Sequence, residues 1–286
     1  MLNRRKFIRT LTAGTAAMLA ARPLVSCASG NRERSLDNIG FISGIIGREL
    51  REGDWREVLT RTTEMGYTEI ETGNYWGESA SSFLEFCRGI GLRPVAGGSV
   101  FSRDMDEVKT RLDRLNSLEL EYAVLYWPWF GGRPLSLDHC KESAELLNKL
   151  GEVSREHGLT LCWHNHDLEF DTTSEGVVPF DYLMENTDQN LVKCQLDIYW
   201  VKKGGADPLQ TLRKYSGRYP MLHIKDMAPG EEEDFACPGS GIIDFQAVMA
   251  EAADQGIKHC FVERDNVQDG MACLESAAVY LKELRF

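Results

Sequence analysis

Four strand-like runs in the second half of the chain, LTLCWHNHD, LVKCQLD, YPMLHIKD and IKHCFVERD, end in side chains able to hold a metal ion. They present His164 or His166, Asp197, His223 and Glu263 near their C-terminal ends. Two imidazoles and two carboxylates balance a 2+ ion and leave positions for water or for substrate oxygens. Such a mixed oxygen and imidazole set suits one Mn²⁺, Mg²⁺, Co²⁺ or Zn²⁺, with Mn²⁺ the first expectation. A single His is more often a hydrogen-bonded structural residue, which is the reading given to His139, His157 and His259. A lone strand-end Asp is often only a helix cap. Recurrence at the ends of successive strands sets the four residues apart from these.

The elements that must position them follow from period and spacing. Successive side chains of a strand point to opposite faces. Cys162, His164 and His166 therefore share a face of the fifth strand, Met221, His223 and Lys225 a face of the seventh, and Phe261, Glu263 and Asp265 a face of the eighth. From His164 to Asp197, His223 and Glu263 the intervals are 33, 26 and 40 residues. One strand-helix unit of a (β/α)8 barrel takes roughly 30 residues. The longest interval contains an insertion from Ala228 to Gly241.

Upstream, strands are expected at Asn38 to Ser43, Tyr67 to Glu71, Arg93 to Gly97 and Tyr122 to Tyr126, with a fifth opening at Leu159. Helices are expected over Asp54 to Met65, capped by Asp54, and over Ser79 to Gly91, Met105 to Leu115 and Ser136 to His157. Four more fall at Pro179 to Glu185, Pro208 to Tyr215, Phe245 to Gln255 and Met271 to Leu284. This alternation makes the fold class α/β, a single (β/α)8 TIM barrel over 38–286, preceded by an export signal. No GxGxxG follows the first strand, which argues against a doubly wound dinucleotide fold.

Residues 1–26 have the form of a twin-arginine signal peptide: Arg4, Arg5 and Lys6 precede a small, apolar stretch from Leu11 to Ala21. Leu24 to Cys27 resembles a lipobox in which Cys27 takes the lipid, and cleavage after Ala28 is the alternative reading. Residues 27–37 would form a short tether. The expectation is an exported, periplasmic, lipid-anchored protein, with no transmembrane span and the membrane met only through the lipid. Removing the five basic residues of the segment, Arg4, Arg5, Lys6, Arg9 and Arg22, takes the formal charge from −12 to −17. A surface so acidic repels phosphate backbones, so nucleic acid is a poor partner. The eight cysteines form no CxxC pair, and Cys162, Cys194 and Cys260 sit inside strands, so mostly buried free thiols are expected.

The ordered set of segments resembles the xylose isomerase-like TIM barrels, a family that includes sugar phosphate isomerases/epimerases and inosose dehydratases. The matching pieces are His164 to Phe170, Leu196 to Val201 with Gly205 to Pro208, His223 to Asp226, Pro238 to Phe245 and Val262 to Asp265. The resemblance implies one divalent ion, with Asp197, His223 and Glu263 at three usual ligand positions. Many relatives carry Glu on the fifth strand where His164 stands; His164 is taken as the fourth ligand and His166 as the residue facing substrate. Glu169 is assigned to support or to substrate binding, and Arg264 to substrate binding. Trp200 replaces the His that several isomerases and epimerases place there, and reads either as a wall for a sugar ring or as a core aromatic.

What the resemblance implies chemically is a sugar isomerase or epimerase working through an enediolate; the export signal makes a non-phosphorylated sugar or keto-sugar the expected substrate, because phosphorylated sugars are chiefly cytoplasmic. Glu263 would remove the proton next to the carbonyl, His166 would act as second acid/base, and Lys225, oriented by Asp226, would offset oxyanion charge. For Lys225 and Asp226 a surface ion pair is the plain alternative. Trp76 and Trp127 lie in loops where rings could stack on a sugar or plug the core. A keto-glycoside lyase or hydratase is the neighbouring reading. A non-catalytic, lipid-anchored sugar-binding barrel is the rival from another class, and metal-dependent DNA repair is disfavoured by the acidity and the export signal.

Overall fold

The computed structural model describes residues 33–286. The signal segment 1–26, Cys27 and most of the tether lie outside the described residues. Eight parallel strands close into a barrel: β1 (Gly40–Ile42), β2 (Glu69–Glu71), β3 (Arg93–Gly98), β4 (Tyr122–Leu125), β5 (Thr160–His164), β6 (Val192–Asp197), β7 (Met221–Ile224) and β10 (His259–Val262). Two short strands, β8 (Asp226–Met227) and β9 (Phe235–Ala236), pair antiparallel outside it. The barrel closes where β1 pairs with β10, Gly40 opposite Phe261. An added Cβ at Gly40 would collide with the Phe261 ring, so the seam needs a residue without a side chain.

The helices outside the barrel start where short polar side chains accept main-chain N–H groups. Asp54 caps α2 (Trp55–Met65), Ser79 caps α3 (Ala80–Ile90), Asp104 caps α4 (Met105–Ser117) and Ser136 caps α5 (Leu137–Glu156). α2 and α3 stop at Gly66 and Gly91, both left-handed. Further round are α6 (Pro179–Asn186), α8 (Pro208–Lys214), α9 (Phe245–Asp254) and α10 (Gly270–Glu283). Two short helices, α1 (Gly47–Glu52) and α7 (Ile198–Lys203), were not expected from periodicity, because six residues hold less than two turns of pattern. Among the described residues no helix is long and apolar enough to cross a membrane.

Strand alternation produces two cores. Val95, Val124, Cys162, Met221 and Phe261 point inward and fill the barrel, while Trp163, Cys194, Leu196, Leu222 and Val262 point outward against the helices. The inward set floors the mouth: two residues beyond Cys162, Met221 and Phe261 stand His164, His223 and Glu263.

The insertion is the one place where the thiol expectation needs correction. Cys87, Cys140, Cys162, Cys194 and Cys260 are buried free thiols, but Cys237 and Cys273 form a disulfide between the insertion and α10. Neither of this pair lies inside a barrel strand, and their separation of 36 residues carries no motif. Asp226 holds the same loop from within, accepting N–H bonds from Met227, Gly239, Gly241 and Ile243 at 2.8 to 3.1 Å. A Cβ on Gly241 would run into that carboxylate. Cross-linking a loop of this size restricts the unfolded chain by about 4 kcal/mol. Cys237→Ser with Cys273→Ser is therefore expected to lower the unfolding free energy by about 2–4 kcal/mol in urea titration. An unchanged midpoint would mean that the bridge contributes nothing to stability.

Candidate metal centre

His164, Asp197, His223 and Glu263 each offer one ligand atom, and these atoms lie within 4.8 Å of one another at the C-terminal mouth of the barrel. The four residues predicted from strand ends are thus brought together, with His164 as the fifth-strand member. Asp197 ends β6 opposite His223 in the register, and His164 ends β5 opposite Gln195.

Each ligand is aimed by a second residue. Asp197 Oδ1 accepts the Trp200 N–H at 2.9 Å, so the carboxylate does cap α7. Its Oδ2, however, is buried and accepts no hydrogen bond, although Lys225 Nζ lies 3.2 Å away and His164 Nε2 3.7 Å away. Asn165, fully buried, clamps the Asp197 main chain through both its amide N–H and its carbonyl. The Gln195 amide donates to Glu71 Oε2 at 2.7 Å, so its Oε1 accepts from His164 Nδ1 at 3.0 Å. That leaves His164 Nε2 as a lone-pair donor facing Asp197. Glu71 Oε2 also contacts His223 Nε2 at 2.8 Å, which turns His223 Nδ1 toward Glu263 Oε2 at 2.6 Å. Imidazole ligands are commonly fixed in this manner by a carboxylate on the far nitrogen. The orphaned Asp197 oxygen, the two oriented imidazoles and the Glu263 carboxylate together fit a divalent cation.

Glu71 is the functional residue that strand-end reasoning missed, and it is fully buried. The Tyr126 hydroxyl donates to its other oxygen at 2.5 Å. The available signal was its place: it ends β2 just as Asp197 ends β6.

Lys225 stands at the centre, 1 % exposed, with Nζ 2.8 Å from Asp265, 3.1 Å from Glu263 and 3.2 Å from Asp197. Its orienting partner is Asp265, not Asp226, because adjacent strand residues face opposite ways and Asp226 turns into the insertion. The surface ion pair weighed for it is likewise excluded by burial.

The electrostatics follow from this crowding. Burial lowers the affinity of His223 for a proton, but the Glu71 and Glu263 carboxylates outweigh it and raise its pKa to about 10. Burial, added to by His223 and His166, holds His164 well below the usual histidine range. Burial also takes Asp197 up to about 6 despite Lys225. For Glu263, burial is overcome by Lys225 and His223, which keep its carboxyl well below the ordinary value. Burial first, then Lys225, brings His166 down to about 4 and leaves it neutral near pH 7.

The other predicted residues fall into two groups. The His166 ring lies 5.0 Å from His164 and 5.3 Å from both Trp127 and Trp200, and Trp127 is 43 % exposed. Lys225 Nζ sits 5.0 Å from the Trp200 ring, so that ring also faces the centre. Glu169, by contrast, is fully buried: its oxygens accept from Trp129 Nε1 at 2.8 Å and the His166 main chain at 2.9 Å, and burial raises its carboxyl to about 8. It supports His166 from behind. Trp76 stacks on Trp55 and packs on Phe83 beside α2 and α3. Arg264 reaches Cys237 Sγ at 3.2 Å. His139 and His157 make local structural bonds to Ser136 and Val153, and His259 bonds the distant Glu69 at 2.8 Å.

Comparison with known proteins places this geometry. The chain is 33% identical over 139 residues to an inosose dehydratase of Clostridium perfringens, across 43% of this chain and 46% of that one. It thus spans about half the length of that relative. Among solved structures it superimposes on a sugar phosphate isomerase/epimerase from Parabacteroides distasonis with a TM-score of 0.73, 23% identity, and coverage of 86% of this chain and 98% of that one. It superimposes on the IOLI protein with a binding zinc atom with a TM-score of 0.66, 17% identity, and coverage of 87% and 99%. The family described as xylose isomerase-like TIM barrel matches residues 59–286, from α2 through the metal-centre strands to the last residue. The barrel and the sequence that builds it agree, and the chain belongs to the xylose isomerase-like TIM barrel family.

Proposed function

We propose that the chain is a divalent-metal-dependent enzyme that isomerises or epimerises a non-phosphorylated sugar or keto-sugar through an enediolate. The observation that carries this reading is the donor set His164, Asp197, His223 and Glu263 converging beside a buried lysine. When bound, a divalent ion at these residues supplies Lewis acidity that lowers the cost of negative charge on a neighbouring carbonyl oxygen. Mn²⁺ is the first choice, with Mg²⁺, Co²⁺ and Zn²⁺ as alternatives; the zinc in the IOLI protein supports a transition metal. Glu263 takes the proton beside the carbonyl. Lys225, fixed by Asp265 at 2.8 Å, stabilises the oxyanion. His166, neutral and walled by Trp127 and Trp200, is the second proton carrier, and the exposed Trp127 face offers a platform for a sugar ring.

The second reading is β-elimination of water from a keto-sugar. It is favoured by the similarity to inosose dehydratase and by Trp200, an aromatic that transfers no proton. We further propose that the protein works outside the cytoplasm, lipid-anchored through Cys27, where phosphorylated sugars are scarce. The Cys237–Cys273 disulfide suits an oxidising compartment.

The mature protein is expected to carry about one divalent ion per chain by elemental analysis, and Asp197→Asn with His223→Ala to carry none. Full occupancy in the double variant would move the site elsewhere. Glu71→Gln should keep the ion at saturation but weaken its affinity about 10- to 100-fold in chelator competition; an unchanged affinity would mean that Glu71 does not orient His223. In D₂O, proton NMR across ketoses and keto-glycosides should reveal exchange of the hydrogen beside the carbonyl, stopped by EDTA. Sugars that bind without exchanging would favour the non-catalytic sugar-binding barrel.

A further inference from the structure

The half of the mouth opposite the ligands is built by β1 to β4, and two arginines of α4 reach into it. Arg111 and Arg114 line a hollow together with Ser43, Gly44, Asn74 and Tyr126. Gly44 also borders the adjoining hollow that contains Glu263 and Asp265, so the two open side by side. Tyr126 joins them chemically as well, since its hydroxyl bonds Glu71 and Glu71 bonds His223.

Both guanidiniums are fixed but uncompensated. Arg111 Nε donates to Gly98 O at 2.5 Å, Arg114 Nε donates to Gly73 O at 3.1 Å, and Arg114 also lies 4.3 Å from the Tyr75 ring centroid. Among the described ion pairs neither has a carboxylate partner. In a chain of formal charge −12, with acids outnumbering bases 44 to 32, most basic side chains have acids to choose from. The one acid of this hollow, Glu71, already accepts on both oxygens from Tyr126, Gln195 and His223. Burial, and then repulsion by Arg114, depresses the Arg111 pKa. The chain also makes room for the charge. Arg111 Nη2 lies directly over Gly73, in space that a Cβ at this position would share.

We infer that Arg111 and Arg114 form an oxyanion subsite that holds an acidic substituent of the substrate while its carbonyl end lies at the metal centre. This rests on the function proposed above, and on a non-phosphorylated substrate the substituent is a carboxylate, as in a uronic acid. Each guanidinium keeps its paired Nη groups for a forked contact with two oxygens, the geometry at which arginine exceeds lysine.

The test is titration of the metal-loaded, full-length protein with glucuronate, glucose and glucose 6-phosphate, followed by NMR or calorimetry. Wild type should bind glucuronate at least about tenfold more tightly than glucose. Arg111→Gln with Arg114→Gln should erase that preference with metal content unchanged. The wild-type preference should also shrink as salt rises to about 0.5 M, a readout that needs no variant to fold. Equal binding of acid and neutral sugar by wild type, or a preference that survives the double substitution or high salt, would overturn the subsite. A preference for glucose 6-phosphate over glucuronate would uphold it and fault only the non-phosphorylated substrate. Metal content and hydrogen exchange in the same samples report separately on the catalytic reading.

Discussion

Three carboxylates, the buried Glu71 and Asp197 and the partly buried Glu263, meet at the barrel mouth, and His223 and Lys225 are the cations that answer them. Unpaired charge in such a place costs several kcal/mol per ion, so the surrounding residues are constrained to supply donors. Gln195, Tyr126 and the Trp200 main chain do so. Asp197 Oδ2 accepts no hydrogen bond; it is answered by charge alone, with Lys225 Nζ 3.2 Å away, and it points into the ligand cluster. The four converging donor atoms there fit a dication.

The barrel makes this balance possible through a rule of two. Cys162, Met221 and Phe261 close the interior with apolar volume, and the next inward residues, His164, His223 and Glu263, are consequently held above a dry floor. No loop flexibility intervenes between floor and ligands on β5 and β7. The low dielectric beneath strengthens every contact above it.

Much of this was legible in the sequence, for a physical reason. Asp197, His223, Glu263 and His164 announce themselves because a strand end is a geometrically defined place, and caps such as Asp54, Ser79 and Ser136 mark helix starts within a residue. Glu71 ends the expected second strand and is passed over because its partner His223 is 152 residues away and no second ligand type stands beside it in the sequence. Lys225 and Asp226 look like a local pair, yet alternation separates them, and Asp265, forty positions on, takes the role. The Cys237–Cys273 pairing has no motif at all, since it depends on where an irregular insertion meets α10. Trp76 and Trp127 are alike in composition and loop position; only packing distinguishes the ring stacked on Trp55 from the ring left open beside His166.

Asp226 carries a consequence for how such chains can diverge. One carboxylate gathers the main-chain N–H groups of Met227, Gly239, Gly241 and Ile243, so the loop is tied at its two ends, with glycine required at Gly241 for the carboxylate to approach. Its middle is exposed at Glu231 and Glu232 but is held to α7, where Lys203 Nζ donates to the Glu232 carbonyl at 2.9 Å and the Tyr199 hydroxyl to the Glu233 carbonyl at 2.8 Å. A change in that segment is therefore felt first at α7 and at Asp226, and the end of β7 with His223 is reached only through them.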